Sequence, residues 1–176
     1  MIDFSADHFC LFNLPRRYRI DSAVLDREYR ALQSAVHPDR HAAGGTAGSR
    51  LALQASARVN EAYATLRDPA ARGAYLLGLH GLESLAETDT EMPTEFLVEQ
   101  MERREEIEQA RSAGDQPALE RALANVATER AELEAEVARA IDDRAALDDA
   151  RTAVRKLRFL DRVRHEINDA LIEAEA

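Results

Sequence analysis

His37, Pro38 and Asp39 follow one another between two amphipathic helical patterns, and of all the side chains in this sequence they are the best placed to act on a partner. As a bare tripeptide the match carries little weight, since at uniform composition it turns up by chance in roughly 2% of chains this long. Its setting carries more. Pro38 biases His37 away from the α region, so a helix arriving from the N-terminal side must end there. Proline followed by aspartate also favours a turn. Before the turn, Leu25, Tyr29, Leu32 and Val36 recur at helical spacing. Beyond it and a polar loop, Ala52, Ala55, Val59, Tyr63 and Leu66 make the apolar stripe of a second helix. The imidazole and the carboxylate are therefore expected at the tip of a helical hairpin, beside Arg40 and turned outward. Arg27 and Arg30 lie three apart on the helix before the turn, and Arg16, Arg17 and Arg19 precede it. Such a basic face either stands in solvent or docks onto an acidic partner beside the turn.

The sequence holds no catalytic constellation. A Gly-rich phosphate loop, a Cys/His ligand cluster and a nucleophile elbow are all missing. His8, His41, His80 and His165 are scattered and read as solvated side chains. Cys10, the only cysteine, reads as a packed apolar residue, and a single cysteine forms no internal disulfide and fits a reducing cytoplasm. Met1-Ile2-Asp3-Phe4 lacks the basic and apolar regions of a signal peptide, and no apolar run approaches the roughly 18 residues of a membrane span. These features point to a cytoplasmic protein that is not an enzyme and takes no cofactor.

Positioning the turn falls to helices. With 5 Pro and 7 Gly in 176 residues, and with Ala, Leu, Glu and Arg abundant, the fold class expected is all-α. Four helices are expected first, at about 7–14, 22–36, 49–67 and 69–79, with Asp21 and Ser22 supplying cap chemistry and Pro69 opening the fourth. A linker without clear period covers 82–93. Three longer helices follow, at about 94–113, 117–141 and 147–173. Gly114-Asp115 and Asp142-Asp143 break them, so successive helices should be antiparallel. Leu119, Leu123, Val126, Leu133 and Val137 keep the three-and-four spacing of a bundle seam. The domains are thus 1–81 and 94–176, joined by 82–93.

Charge separates them. Residues 1–80 carry 10 Lys+Arg and 8 Asp+Glu, a net of +2, whereas 81–176 carry 13 and 25, a net of −12. Two modules with different partners are implied, and neither balance suits nucleic acid. At about 100° per residue, Phe96, Ile107 and Ala110 share a narrow stripe, while Leu97 and Met101 point away from it toward Glu105 and Glu108. On the last helix Leu147, Ala150, Val154 and Leu157 face inward and Phe159 projects to another side. Read from geometry alone, these three apolar side chains are either the edge of a wide core or an exposed patch rimmed by carboxylates.

A short helix, a hairpin tipped by His-Pro-Asp and a fourth helix resemble a J-domain. From about Phe9 to about residue 172 the chain resembles the HscB family, J-domain co-chaperones of bacterial iron–sulfur cluster assembly. The segments that carry this are Leu11-Phe12-Asn13-Leu14-Pro15, Ala74-Tyr75-Leu76-Leu77, Glu95-Phe96-Leu97-Val98-Glu99-Gln100 and Val154-Arg155-Lys156-Leu157-Arg158-Phe159-Leu160-Asp161. The resemblance implies an N-terminal J-domain and a C-terminal antiparallel three-helix bundle. It implies that His37, Pro38 and Asp39, with Arg27, Arg30 and Arg40 beside them, engage a DnaK-type ATPase chaperone, HscA, and stimulate its hydrolysis. It implies that Leu97, Val98, Met101, Glu102, Glu105 and Phe159 bind the scaffold protein IscU and deliver it to that chaperone. Arg40 replaces the Lys usual after the motif, a change of donor geometry at constant charge. Val98 stands where a longer Met can occur, and Gln109 where an acid can. The zinc cysteines of some eukaryotic relatives are absent, so no metal is expected, and neither nucleic acid nor membrane is a partner. A J-domain co-chaperone with a different client and a structural bundle with an accidental His-Pro-Asp are the alternatives.

Overall fold

The computed structural model describes residues 6–36, 45–82 and 92–174, and every element within them is helical. The seven α-helices among the described residues are α1 (His8–Leu11), α2 (Ser22–Val36), α3 (Gly45–Arg67), α4 (Pro69–Leu79), α5 (Thr94–Ala113), α6 (Gln116–Ala138) and α7 (Leu147–Ala174). The all-α class read from composition is what they show. The chain divides into two compact units, Met1–Leu76 and Leu77–Ala176, so the division falls inside α4 rather than at its end.

In the first unit the aspartates do the local work. Asp7 accepts the Cys10 N–H at 3.0 Å and starts α1, Asp21 accepts those of Ala23 and Val24 and starts α2, and Asp68 accepts that of Ala71 at 2.6 Å and starts α4. Each side-chain oxygen replaces an acceptor that the first turn of a helix lacks. α1 is only four residues long, shorter than expected: the chain leaves helical geometry at Phe12 and Asn13 takes φ 53, with Phe9 and Phe12 completely buried. α3 already runs from Gly45, ahead of the expected start at residue 49; the rest of the expected loop lies outside the described residues. Leu25, Val59, Ala62 and Leu66 fill the space between α2 and α3, each 1% exposed or less. Gly81, at φ 79, lies beyond the end of α4, a left-handed position that glycine adopts without a Cβ clash.

The second unit is a bundle of α5, α6 and α7. Gly114 at φ 63 closes α5, its successor's N–H donating to Ala110 O at 2.9 Å, and Asp115 caps α6 through the Ala118 N–H at 3.0 Å. α6 does not run to residue 141 as its periodicity suggests. It passes into a π-helical turn, Arg139–Arg144, which ends on Ala145 at φ 52 with the Ala146 N–H donating to Ala140 O at 2.9 Å. Leu119, Val126 and Val137 of α6 and Val154, Leu157, Leu160 and Ile167 of α7 are fully buried. Each such side chain contributes about 1.5–3 kcal/mol relative to exposure. α5 joins this core differently, with Phe96, Gln100 and Ile107 as its only buried residues across twenty. Its pairing with α7 is parallel, since Arg104 meets Glu166 and Arg111 meets Glu173. Among the described residues no helix is long and apolar enough to cross a membrane.

Candidate functional site

Two surfaces were expected, one on each unit. On the first, His37, Pro38, Asp39 and Arg40 lie outside the described residues. What the structure places is the hairpin that leads to them. Tyr29 of α2 and Tyr63 of α3 stack with ring centroids 3.9 Å apart and planes 16° from parallel. Tyr63 Oη donates to Asp26 Oδ1 at 2.8 Å and accepts from Arg67 Nη1 at 2.8 Å. The bond to Asp26 holds the Tyr63 phenol above its ordinary pKa, because a carboxylate acceptor favours the protonated phenol. Tyr29 Oη donates to Asn60 Oδ1 and accepts from Gln33 Nε2. Residues 26 and 29 thus meet 63 and 60, which fixes the two helices antiparallel. Nothing in the apolar pattern distinguished this clasp, because Tyr29 and Tyr63 read there simply as members of two stripes. The expected cations are exposed, and both are engaged locally. Arg27 reaches Glu28 Oε1 at 3.1 Å, and Arg30 Nε donates to the Asp26 carbonyl at 3.1 Å.

Two readings of the first unit need correction. His8 is not solvated: it is 4% exposed, its ring stacked on Tyr75 at 4.1 Å, with its backbone N–H donating to Tyr75 Oη at 3.0 Å. Burial, reinforced by Arg58, pushes the imidazole below its ordinary pKa. Cys10, conversely, is exposed. On so short a helix the neighbouring face is decided by what α3 and α4 offer, and they take His8 and Phe9. The adjacent Asp7 carboxyl would be raised by burial, but the Cys10 N–H and the Arg16 guanidinium outweigh that and hold it below the usual range.

On the second unit, Leu97, Val98 and Met101 of α5 are 41%, 49% and 66% exposed, and Glu102 and Glu105 stand exposed among them. Leu97, Met101 and Glu105 follow at four-residue intervals, a continuous stripe beside the α7-facing edge of the helix. Phe159 is not the free ring that an outward projection suggests. It is half-buried and meets Phe96 edge-on, centroids 5.6 Å apart and planes at 80°, with the Arg162 guanidinium 5.9 Å from its ring centre. Together with Gln100, Arg104, Ile107, Val163 and Glu166 it lines a cleft of about 120 Å³ between α5 and α7. The structure therefore attaches the predicted aromatic to the bundle through Phe96 while leaving Leu97, Val98 and Met101 in solvent. Gln100 was not singled out by the sequence, although a signal existed: it sits four residues after Phe96, on the buried stripe, where a polar side chain needs a reason. Among the described residues no group of His, Cys, Asp and Glu is arranged to hold a metal ion.

Comparison with known proteins bears on both units. A family model described as the HSCB C-terminal oligomerisation domain matches residues 92–168. The chain is 42% identical to a co-chaperone protein HscB homolog of Azoarcus sp. over 170 residues, 97% of this chain and 96% of the other. It is 47% identical to one of Burkholderia mallei over 167 residues, 95% of each. Among solved structures it resembles human co-chaperone protein HscB at 32% identity and TM-score 0.87, covering 95% of this chain and 83% of that one. It also resembles chaperone HscB from Vibrio cholerae at 31% identity and TM-score 0.85, covering 96% and 99%.

Proposed function

Because the chain belongs to the HscB co-chaperone family, a family of non-enzymatic chaperone partners, we propose that it stimulates the ATPase of a DnaK-type chaperone, HscA, and delivers to it the iron–sulfur scaffold protein IscU. The observation that carries this reading is the exposed apolar stripe of α5, in which Leu97 and Met101 stand in solvent beside carboxylates on a helix with little buried surface. A folded bundle gains nothing in stability from such side chains, and a rimmed apolar patch is what a partner covers. Supporting the chaperone half is a hairpin whose helices are clasped by Tyr29, Tyr63 and Asp26 and whose connecting residues include His37-Pro38-Asp39.

In this reading the two units divide the work. Asp39 supplies a negative charge to a basic site on the chaperone, with His37 and Pro38 fixing the turn. Arg27, Arg30 and Arg40 steer the approach of an acidic surface. Leu97, Val98, Met101 and Phe159 supply the apolar contact to the scaffold, and Glu102 and Glu105 its polar rim. The proposed domains are 1–81 and 94–176, with 82–93 between them, in the cytoplasm.

The deciding experiment measures HscA turnover with the chain alone, with IscU alone and with both, alongside calorimetric titration of IscU into the chain. Synergistic stimulation together with IscU binding is expected. Stimulation without IscU binding would assign the protein a different client, and no stimulation at all would remove the chaperone from the mechanism. Reversing Arg27 and Arg30 together should lower the association rate with the chaperone and flatten its salt dependence while leaving IscU affinity unchanged.

A further inference from the structure

The second unit contains two aromatic side chains, Phe96 and Phe159, and the only lysine of the chain, Lys156. All three meet in one cluster. Lys156 Nζ lies over the Phe96 ring, 5.3 Å from its centre, and Phe159 stands nearly perpendicular to that ring with 5.6 Å between centroids. Lys156 and Phe159 are three residues apart on α7, so their side chains are neighbours on its surface, and Phe96 of α5 is held by both. Three residues further on, the Arg162 guanidinium lies 5.9 Å from the centre of the Phe159 ring. Each ring of the pair therefore has a cation of α7 beside it.

What this grip controls follows from how little else holds α5. The helix is buried only at Phe96, Gln100 and Ile107, and Phe96 is the one of these in its first turn. Phe96 is 4% exposed, whereas Leu97 and Val98, which follow it directly, stand in solvent. Whatever fixes the Phe96 ring thus fixes where those two side chains project. A turn left free to shift must be ordered when a partner binds, at a cost in affinity. Contact with Phe159 restrains the ring from one direction. A cation over its face restrains it from another, because the attraction requires the negative π face to point at the charge. Carboxylates compete for the same ammonium: Glu95, Glu99, Glu132 and Glu136 line a groove of about 590 Å³ together with Phe96 and Lys156. The half-buried Lys156 lies over the ring nonetheless, and partial loss of hydration strengthens that attraction.

We propose that Lys156 is a positioning residue of the scaffold-binding surface. Through its ammonium over Phe96 it sets the first turn of α5, and with it Leu97 and Val98, in the orientation that the scaffold meets. Lys156 acts through the buried ring and makes no contact with the scaffold itself. This rests on the scaffold-binding reading above and adds to it a residue outside the contact patch that prepares the patch for binding.

The test is a double-mutant cycle of Lys156→Gln and Phe96→Leu, with Lys156→Arg as the conservative variant. IscU affinity is measured by calorimetry and melting is followed for every protein. Lys156→Gln removes the charge and keeps a polar side chain, whereas Lys156→Arg keeps a cation. Lys156→Gln should lower affinity about three- to tenfold, with melting within a few degrees of wild type, and Lys156→Arg should stay within about twofold of wild type. In the Phe96→Leu background Lys156→Gln should cost no further affinity, because the two side chains act as one unit. With a single lysine, reductive methylation by carbon-13 formaldehyde labels only Lys156 and the terminal amine, and the resonance missing from Lys156→Arg is that of Lys156. Its methyl signal is expected upfield of free dimethyl-lysine, through the ring current of Phe96, and back at the free position in Phe96→Leu. Unchanged affinity for Lys156→Gln, or a methyl signal already at the free position in the wild type, would overturn the proposal while leaving scaffold binding intact. So would an affinity loss that persists in full in the Phe96→Leu background, which would make Lys156 a direct contact or a counterion of the groove's glutamates. Should Phe96→Leu fail to fold, the wild-type methyl signal and the contrast between Lys156→Gln and Lys156→Arg still decide. Failure of the wild type to bind IscU would overturn the scaffold reading and this inference with it.

Discussion

The seam between α2 and α3 is tied by stacked tyrosines and side-chain hydrogen bonds, whereas α5 lies on its bundle through a narrow stripe of Phe96, Gln100 and Ile107. The polar clasp of the first unit sits along the helices, away from the residues that join them, so the groups proposed to act can change without loosening what holds them. In the second unit the proposed contacts are borne by the packing helices themselves. Leu97 and Met101 are free of the core, but Phe159 both faces the cleft and meets Phe96. On the proposed assignment, the contacts of the first unit can be separated from its stability, whereas Phe159 would serve both in the second.

The sharpest attack on that contrast is Asp39→Asn. It removes a charge with almost no change in volume, and stimulation of HscA turnover should fall by about tenfold or more, with folding stability within roughly 0.5 kcal/mol of wild type and IscU binding intact. A variant that stimulates fully would take the turn out of the mechanism.

Phe159→Ala should behave in the opposite manner and lower both quantities. Truncating a half-buried ring forfeits less than the roughly 3–5 kcal/mol of a fully buried one, so a destabilisation of about 2 kcal/mol is expected, with an IscU affinity loss of similar size. Leu97→Ala and Met101→Ala should weaken binding and leave melting within about 0.5 kcal/mol. If Phe159→Ala melts like the wild type, the ring is not shared between core and partner, and the contrast between the units fails.

A third comparison uses pH. Burial depresses the His8 imidazole below its ordinary value of 6.5, and Arg58 pushes the same way against the weaker opposition of Glu61 and Asp7. The unfolded chain therefore takes up the proton first as pH falls. The stability this group contributes is complete above about pH 6.5 and is lost as pH drops through its lowered folded value. Thermal melting followed from about pH 7.5 to about pH 5 should show that loss in the wild type and less of it in His8→Phe, which keeps a ring against Tyr75 and cannot titrate. An identical pH profile for the two would mean that His8 does not govern the acid sensitivity of the first unit.

The smallest effect expected is a gain. Ala145 ends the π-helical turn at φ 52, where an L-residue with a Cβ is strained and glycine is not. Ala145→Gly should stabilise the second unit by about 0.5–1 kcal/mol, read as a raised melting temperature with unchanged IscU affinity. A loss of stability would show that the methyl group makes contacts worth more than the strain.

The sequence by itself determined the all-α class and the breaks between successive helices, because those signals are local, while α1, α3 and α6 took other bounds than their patterns indicate. Gly114, Asp115 and Pro117 stop one helix and start the next, so α5 runs over Thr94–Ala113 as its pattern indicates, and α7 begins at Leu147 where Asp142-Asp143 breaks the period. The 100° step per residue likewise put Leu97 and Met101 off the Phe96 stripe, and both are exposed. Only the tertiary structure decided how wide an arc each neighbour covers. The periodicity of α7 placed Phe159 outside the inward stripe, yet α5 arrives parallel to α7 and sets Phe96 nearly perpendicular to its ring. His8 and Cys10, two residues apart on one short helix, exchanged their expected fates because the first stacks on Tyr75 while the second stays exposed. The spacing of Gln100 from Phe96 put a polar side chain on the buried stripe, but only packing showed that Arg103 takes its amide oxygen. Spacing tells which side chains share a face; which face is buried, and against what, depends on helices distant in the chain, and that information appears only when they pack.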